Sequence, residues 1–210
     1  MMIDIEKFNA TPLVREPFQH LVVEEFITPE TLAEVVKDYP DVPGGGSHYG
    51  STLNIKGRFK ALMDEMQGPA FQKAMEEKFD FDLSDRPITY TVRGYCRAKD
   101  GSIHTDSKTK IFTVLLYLND LNWKNDGGRL RLLNSGDNLE DYFAEVEPKG
   151  GTLLVFKRAD NSWHGHHPFE GPRRAIQINW LTDEAALRRE EGRRGIITRV
   201  KGMLRGSSAA

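Results

Sequence analysis

The chain has 210 residues, 39% hydrophobic and 29% charged, which suits one globular domain with a packed core and is short for two. Its net charge of -2 gives no overall electrostatic case for nucleic acid or an anionic membrane. The single cysteine, Cys96, excludes an internal disulfide, no basic-then-apolar leader pattern opens the chain, and no run approaches the roughly 20 apolar residues of a membrane helix. These features together predict a cytoplasmic protein.

Taken in chain order, Pro17–Phe26 reads as a short strand. A helix follows: Thr28 caps it, Pro29 takes the first helical position, and Leu32, Val35, Val36 and Tyr39 recur at helical spacing. The run Pro43-Gly44-Gly45-Gly46-Ser47 then breaks the pattern as a loop. Phe59, Leu62 and Met66 predict a second helix, and Phe71, Met75 and Phe79 a third beyond Gly68-Pro69. From Pro87 onward the segments 89–97, 111–118, 129–133, 152–156 and 174–181 are β-branched, aromatic or alternating, with Gly, Asn and Asp between them. Many short strands with turn signals predict a jelly roll, and the preceding helices make the class α+β. The organisation expected is a mainly helical support over 1–86, a β core over 87–182 and a tail over 183–210, all one domain. In the tail, Ile196, Ile197, Val200 and Leu204 predict a docked helix, and 206–210 predict disorder.

His104 and Asp106 stand two positions apart in an extended run, so their side chains share a face. His164 lies downstream in Trp163-His164-Gly165-His166-His167, just before the last core strand. Two imidazoles and one carboxylate are the donor set of the mononuclear non-haem Fe(II) facial triad, which leaves three coordination positions open. Four protein ligands would instead close the site. The strand opening with Arg173 and Arg174 supplies a cation, and arginine pairs with a carboxylate through two parallel bonds. By parity, Arg174 shares a face with Ile176, Ile178 and Trp180, whereas Arg173 shares one with Ala175, Gln177 and Asn179. The apolar company of Arg174 predicts that it, not Arg173, points inward. Tyr117 either reaches the same carboxylate through its phenol or is an ordinary core tyrosine. The loops 44–58, with His48 and Tyr49, and 134–142 are the candidates for the mouth of the barrel.

In this order the pieces resemble the prolyl-4-hydroxylase-like branch of the 2-oxoglutarate/Fe(II) oxygenase superfamily. They are His-Thr-Asp at 104–106, Tyr-Leu-Asn at 117–119, Gly-Gly-Arg-Leu-Arg-Leu-Leu at 127–133, the strand 151–156, His164, and Arg174 with Trp180 six residues on. The resemblance covers about half the chain, from Thr89 to Leu181. It implies a double-stranded β-helix, iron held by His104, Asp106 and His164, and 2-oxoglutarate with its C5 carboxylate on Arg174 and Tyr117. It also implies Tyr95 and Trp180 beside the cosubstrate, dioxygen as oxidant and L-ascorbate as a common reductant. The spacing of Tyr95 to the His-X-Asp motif differs from the family's by one. Gly165, His166 and His167 depart from the acidic residue and valine that follow the distal histidine in many prolyl hydroxylases. The motif Trp-His-Gly-His is closer to uncharacterised bacterial members. His166 is then a substrate-facing or supporting residue, and His167 a surface one.

The reaction expected is hydroxylation of a peptidyl proline, an amino acid or another small metabolite, with release of succinate and CO2. The alternatives are an AlkB-like nucleic-acid dealkylase, favoured only by the basic tail, a non-catalytic metal-binding sensor and a zinc hydrolase.

Overall fold

A computed structural model describes residues 1–190 and 192. Four helices lie in the first eighty residues: α1 (Ile5–Ala10), α2 (Pro29–Lys37), α3 (Gly57–Met66) and α4 (Pro69–Phe79). The Thr28 hydroxyl caps α2 by accepting from the Thr31 amide, with Pro29 at the first helical position. The short helix α1 lies outside the predicted elements; the Asp4 carboxylate caps it by accepting from the Lys7 amide at 2.8 Å.

Among the described residues there are nine strands, β1 (His20–Val23), β2 (His48–Tyr49), β3 (Ile88–Cys96), β4 (Lys110–Tyr117), β5 (Leu130–Leu133), β6 (Tyr142–Val146), β7 (Leu153–Lys157), β8 (His164–Gly165) and β9 (Gly171–Leu181); all but β2, β6 and β8 fall in the segments that the sequence predicts as strands. They form an antiparallel six-stranded sheet, ordered β1-β7-β4-β9-β3-β2, and a smaller sheet, ordered β6-β5-β8. Facing antiparallel sheets of this kind are the jelly roll that the sequence predicts. The N-terminal segment does more than support it, since β1 pairs with β7 and β2 with β3 at the two edges of the main sheet. The sequence predicts a loop over 134–142 and no strand after it, whereas Tyr142–Val146 form β6 and pair with β5.

The main sheet is covered on both faces. On one face Val92, Val114, Leu116, Ile176, Ile178 and Trp180 pack against Phe59, Leu62, Met66, Phe71 and Met75 of the helices. Phe71 links Phe8 to Trp180, with ring centroids 5.5 and 6.1 Å away. Burying each such side chain fully contributes about 1.5–3 kcal/mol. The alternate residues of the same strands point the other way, toward the small sheet. Tyr117, Leu154, Phe156 and Ala175 there meet Leu130, Leu132 and Val146. The face of β9 that looks apolar in the sequence is therefore the helix-covered one. Its polar face, with Arg173, Gln177 and Asn179, turns into the barrel.

The tail residues Ile196, Ile197, Val200 and Leu204, and the basic positions beyond Gly192, lie outside the described residues; 184–190 are helical. Among the described residues no helix is long and apolar enough to cross a membrane.

The two faces of β9 should separate in mutants. Ile176→Ala is expected to cost about 2–5 kcal/mol of unfolding free energy in urea titrations. Gln177→Ala is expected to cost less than about 1 kcal/mol.

Candidate active site

The inner face of the main sheet is a grid. Thr113 on β4 pairs with Asn179 on β9, Leu115 with Gln177, and Tyr117 with Ala175. On the far side of β9, Thr89, Thr91 and Arg93 of β3 pair with the same three β9 residues. With the small sheet this grid encloses a cavity of about 280 Å³, whose lining includes Thr91, Arg93, Lys110, Thr113, Tyr117, Arg173 and Gln177.

His104, Asp106 and His164 stand at one end of the cavity, each offering a ligand atom within 4.8 Å of the others. Backbone pairing brings them together. His104 and His164 exchange both main-chain hydrogen bonds, each amide donating to the other's carbonyl at 3.0 Å. Directly opposite residues of an antiparallel pair project to the same side. The two imidazole centroids lie 4.3 Å apart. Asp106, two residues beyond His104, returns to that side.

Glycine makes this approach possible. A side chain at Gly165 would meet the Gly101 carbonyl oxygen at 2.9 Å. Gly101 itself has φ of +90°, and a Cβ there would run into the His166 ring.

Each triad histidine is held by a carbonyl two residues before it. His104 Nδ1 donates to the Ser102 carbonyl at 2.8 Å, and His164 Nδ1 to the Ser162 carbonyl at 3.0 Å. Because a carbonyl only accepts, Nδ1 carries the proton in both rings and Nε2 presents a lone pair. Burial pushes the His164 pKa down to about 4, so its ring is neutral near pH 7 although Asp106 opposes the shift.

Burial also resists ionisation of Asp106. Lys110, His164 and the hydroxyl of Thr113 outweigh it and hold the carboxyl below its ordinary range. Lys110 Nζ donates to Asp106 Oδ1 at 2.7 Å and Thr113 Oγ1 donates to Oδ2. Neither partner of the carboxylate was singled out in the sequence. A cation four residues beyond an acid is a common spacing, and Thr113 lies in an otherwise apolar strand.

The other end of the cavity is built around Arg173, which is only 5% exposed. Its Nε donates to the Gly128 carbonyl at 2.9 Å, and a guanidinium NH2 donates to the Tyr117 hydroxyl at 3.3 Å. The Gly127-Gly128 turn therefore serves the arginine directly. Burial pushes the Tyr117 phenol up, against the pull of Arg173, so the hydroxyl stays protonated as a donor. Among the described residues no carboxylate pairs with Arg173, and a buried guanidinium without an anion is costly.

Several expectations need correction. Arg174 does not point into the cavity. It lies on the opposite face of β9, where its guanidinium covers the Tyr39 ring at 5.5 Å. Trp180 is also on that face, fully buried under the helices, and does not line the cavity. Tyr95 follows an irregularity in the pairing of β3 with β9 between Arg93 and Tyr95, and it is 36% exposed. His48 and Tyr49 form β2 and stay out of the lining, although the neighbouring Ser47 enters it. The Tyr49 hydroxyl instead donates to Glu190 at 2.6 Å.

His166 is buried and lines the cavity. Its Nδ1 donates to the His167 carbonyl at 2.7 Å, while Nε2 faces Cys96 Sγ at 3.9 Å. Burial, with the Arg173 charge, pushes it down to about 4. His167 is a surface residue as expected, in contact with Glu140 and Arg131.

A jelly-roll cavity with two imidazoles and a carboxylate at one end, and a buried arginine at the other, has the layout of a mononuclear non-haem iron oxygenase. Residues 90–182 match the family described as the 2OG-Fe(II) oxygenase superfamily. The family implies Fe(II), 2-oxoglutarate and dioxygen. No curated protein matches the sequence.

Similar solved folds include a Pseudomonas putida prolyl-4-hydroxylase, with TM-score 0.50 and 17% identity over 84% of this chain and 92% of that one. A viral collagen prolyl hydroxylase of Paramecium bursaria Chlorella virus-1, solved as a 2OG complex, gives 0.51 and 14% over 77% and 94%. A 2OG-Fe(II) oxygenase family oxidoreductase from Burkholderia pseudomallei gives 0.57 and 12% over 85% and 90%.

The hydrogen bonds to Asp106 lead to a measurable expectation. Thr113→Val should lower the affinity for a divalent ion by about 10–100-fold, read by anaerobic Co(II) absorption titration, with the fold retained by circular dichroism.

Proposed function

We propose that the chain is a dioxygenase that hydroxylates a peptide or small molecule, using Fe(II) and 2-oxoglutarate. In this reading His104, Asp106 and His164 hold the metal, and Arg173 with Tyr117 takes the C5 carboxylate of the cosubstrate. The observation that carries it is the pair of ends in one cavity. Two imidazole lone pairs and a carboxylate converge at one end, and at the other waits a buried guanidinium with no acidic partner among the described residues. The residues fit the groups. The donor set suits Fe(II), and it leaves open positions for a chelating oxoacid. Arg173 and the Tyr117 hydroxyl supply donors for a carboxylate.

When bound, the ferrous ion and 2-oxoglutarate supply the oxidising chemistry, in which dioxygen is consumed and succinate and CO2 are released. The protein's own contributions are of other kinds. The Ser102 and Ser162 carbonyls fix the tautomer and tilt of the two imidazoles. Lys110 and Thr113 keep Asp106 ionised and oriented. Arg173, pinned by the Gly128 carbonyl, fixes which end of the cosubstrate enters first. Leu115, Leu130 and Ala175 exclude water between the two ends. His166, neutral and turned toward Cys96, shapes the wall beside Gly101.

Two variants test the assignment against the parity argument from the sequence. Arg173→Ala is expected to raise the 2-oxoglutarate concentration needed for half-maximal succinate formation by about 30-fold or more, the range for removing one partner of a buried charge pair. Arg174→Ala is expected to leave it within about twofold, since rim and surface changes act weakly. The reverse order would overturn the assignment. His104→Ala and Asp106→Ala should each abolish the charge-transfer absorption that appears when Fe(II) and 2-oxoglutarate are added without oxygen.

A further inference from the structure

The cavity holds more positive charge than the proposed metal and cosubstrate use. Arg93, Lys110 and Arg173 line it, against the single carboxylate of Asp106. A divalent ion and a dianionic oxoacid neutralise each other, so the surplus remains after both are bound. Lys110 is taken up by Asp106 at 2.7 Å and Arg173 is the cosubstrate's partner in the reading above. Arg93 is left over.

Its placement is specific. Arg93 pairs across the sheet with Ala175, which pairs on its other side with Tyr117. Arg93 and Tyr117 thus flank the small side chain of Ala175 from opposite sides. Arg173 donates to the Tyr117 hydroxyl, whereas the NH2 of Arg93 donates to the hydroxyl of Ser47 at 3.0 Å. Ser47 is exposed and also lines the cavity, so Arg93 reaches toward the solvent side.

Asp100 forms an ion pair with Arg93 but no hydrogen bond. It stands 3.6 Å from Arg93 NH1, beyond hydrogen-bonding distance. Asp100 is engaged by Arg97, whose amide and NH2 each donate to it at 2.9 Å. The Arg93 side chain, only 25% exposed, donates to Ser47, lies against Cys96 and shares the one carboxylate of Asp100 with Arg97, so the cluster keeps a net positive charge.

We propose that Arg93, with Ser47 beside it, anchors a carboxylate of the substrate to be oxidised. The inference rests on the metal and cosubstrate reading above and adds the chemical class of its substrate. A planar guanidinium at the solvent side of the cavity, beyond the cosubstrate's own arginine, selects a planar anion and presents the adjoining carbon toward the metal end. The substrate is a carboxylic acid of a size that enters the cavity, such as an amino acid, or a peptide carrying a carboxylate close to the oxidised carbon.

The test uses the full chain loaded with Mn(II) and N-oxalylglycine, a cosubstrate mimic that occupies Arg173. Acetate is titrated in, and the paramagnetic relaxation of its methyl protons is read, with acetamide as the neutral control. Wild type and Arg174→Gln are expected to give saturable relaxation at millimolar acetate, Arg93→Gln at least tenfold weaker binding, and acetamide none. The proposal is overturned if acetate and acetamide behave alike, or if Arg93→Gln binds acetate as wild type does, as an ion on the metal itself would. It is equally overturned if Arg93→Gln loses N-oxalylglycine, because Arg93 would then belong to the cosubstrate. Failure of the loading step counts against the metal and cosubstrate reading instead. Calorimetry of acetate binding to unloaded wild type and Arg93→Gln then still decides the role of Arg93. Once acetate binding is established, succinate release with free amino acids against acidic peptides separates the two sources of the carboxylate.

Discussion

A single pair of main-chain hydrogen bonds, between His104 and His164, organises the whole cavity. The residues are sixty positions apart in the sequence, and neither imidazole would face the other without that pairing. The contact requires two backbones to approach with nothing between them, which is why Gly165 and Gly101 flank it. Once the strands are paired, strand alternation delivers Asp106 to the same side. The carbonyls of Ser102 and Ser162 then turn both lone pairs inward. Side-chain chemistry here follows from backbone geometry rather than shaping it.

The main sheet has a matching logic. A sheet covered on both faces must be apolar on at least one, and here the apolar face serves the helices. Phe59, Met66, Phe71 and Met75 take up Ile176, Ile178 and Trp180, so the cavity face is free to be polar. Stability and chemistry thus occupy opposite sides of the same strands. Thr113, Gln177 and Asn179 can form a hydrogen-bonded row under the metal end without weakening the main core.

Much of this was legible in the sequence. The helix caps, the helical periodicity around Leu32 and Val35, the strand order and the convergence of His104, Asp106 and His164 all follow from local rules. The choice between Arg173 and Arg174 does not. Their parity was readable, but equating apolar company with the inside assumes one buried face. Where helices blanket the outer face, the polar row is the interior one, and only tertiary packing reveals this. Trp180 was misplaced for the same reason. Tyr95 shifted because an irregularity in β3 breaks the alternation just before it. Arg93 escaped notice because a lone arginine in a strand carries no signal until its neighbours Ala175, Ser47 and Asp100 are known. His48 and Tyr49 sat in the right loop, but only Ser47 of that loop turns inward.

The strand segment carrying His104 has a consequence of its own. It is joined to β8 as an isolated bridge, whereas β4 and β9 are knitted along seven registered positions. An ion gripped by His104, Asp106 and His164 would act as a clasp across that sparse seam, tying the 101–107 stretch to the minor sheet. Filling the centre would then tighten one wall of the barrel, and the amides around Ile103 and Gly165 would exchange with solvent more slowly as metal is taken up.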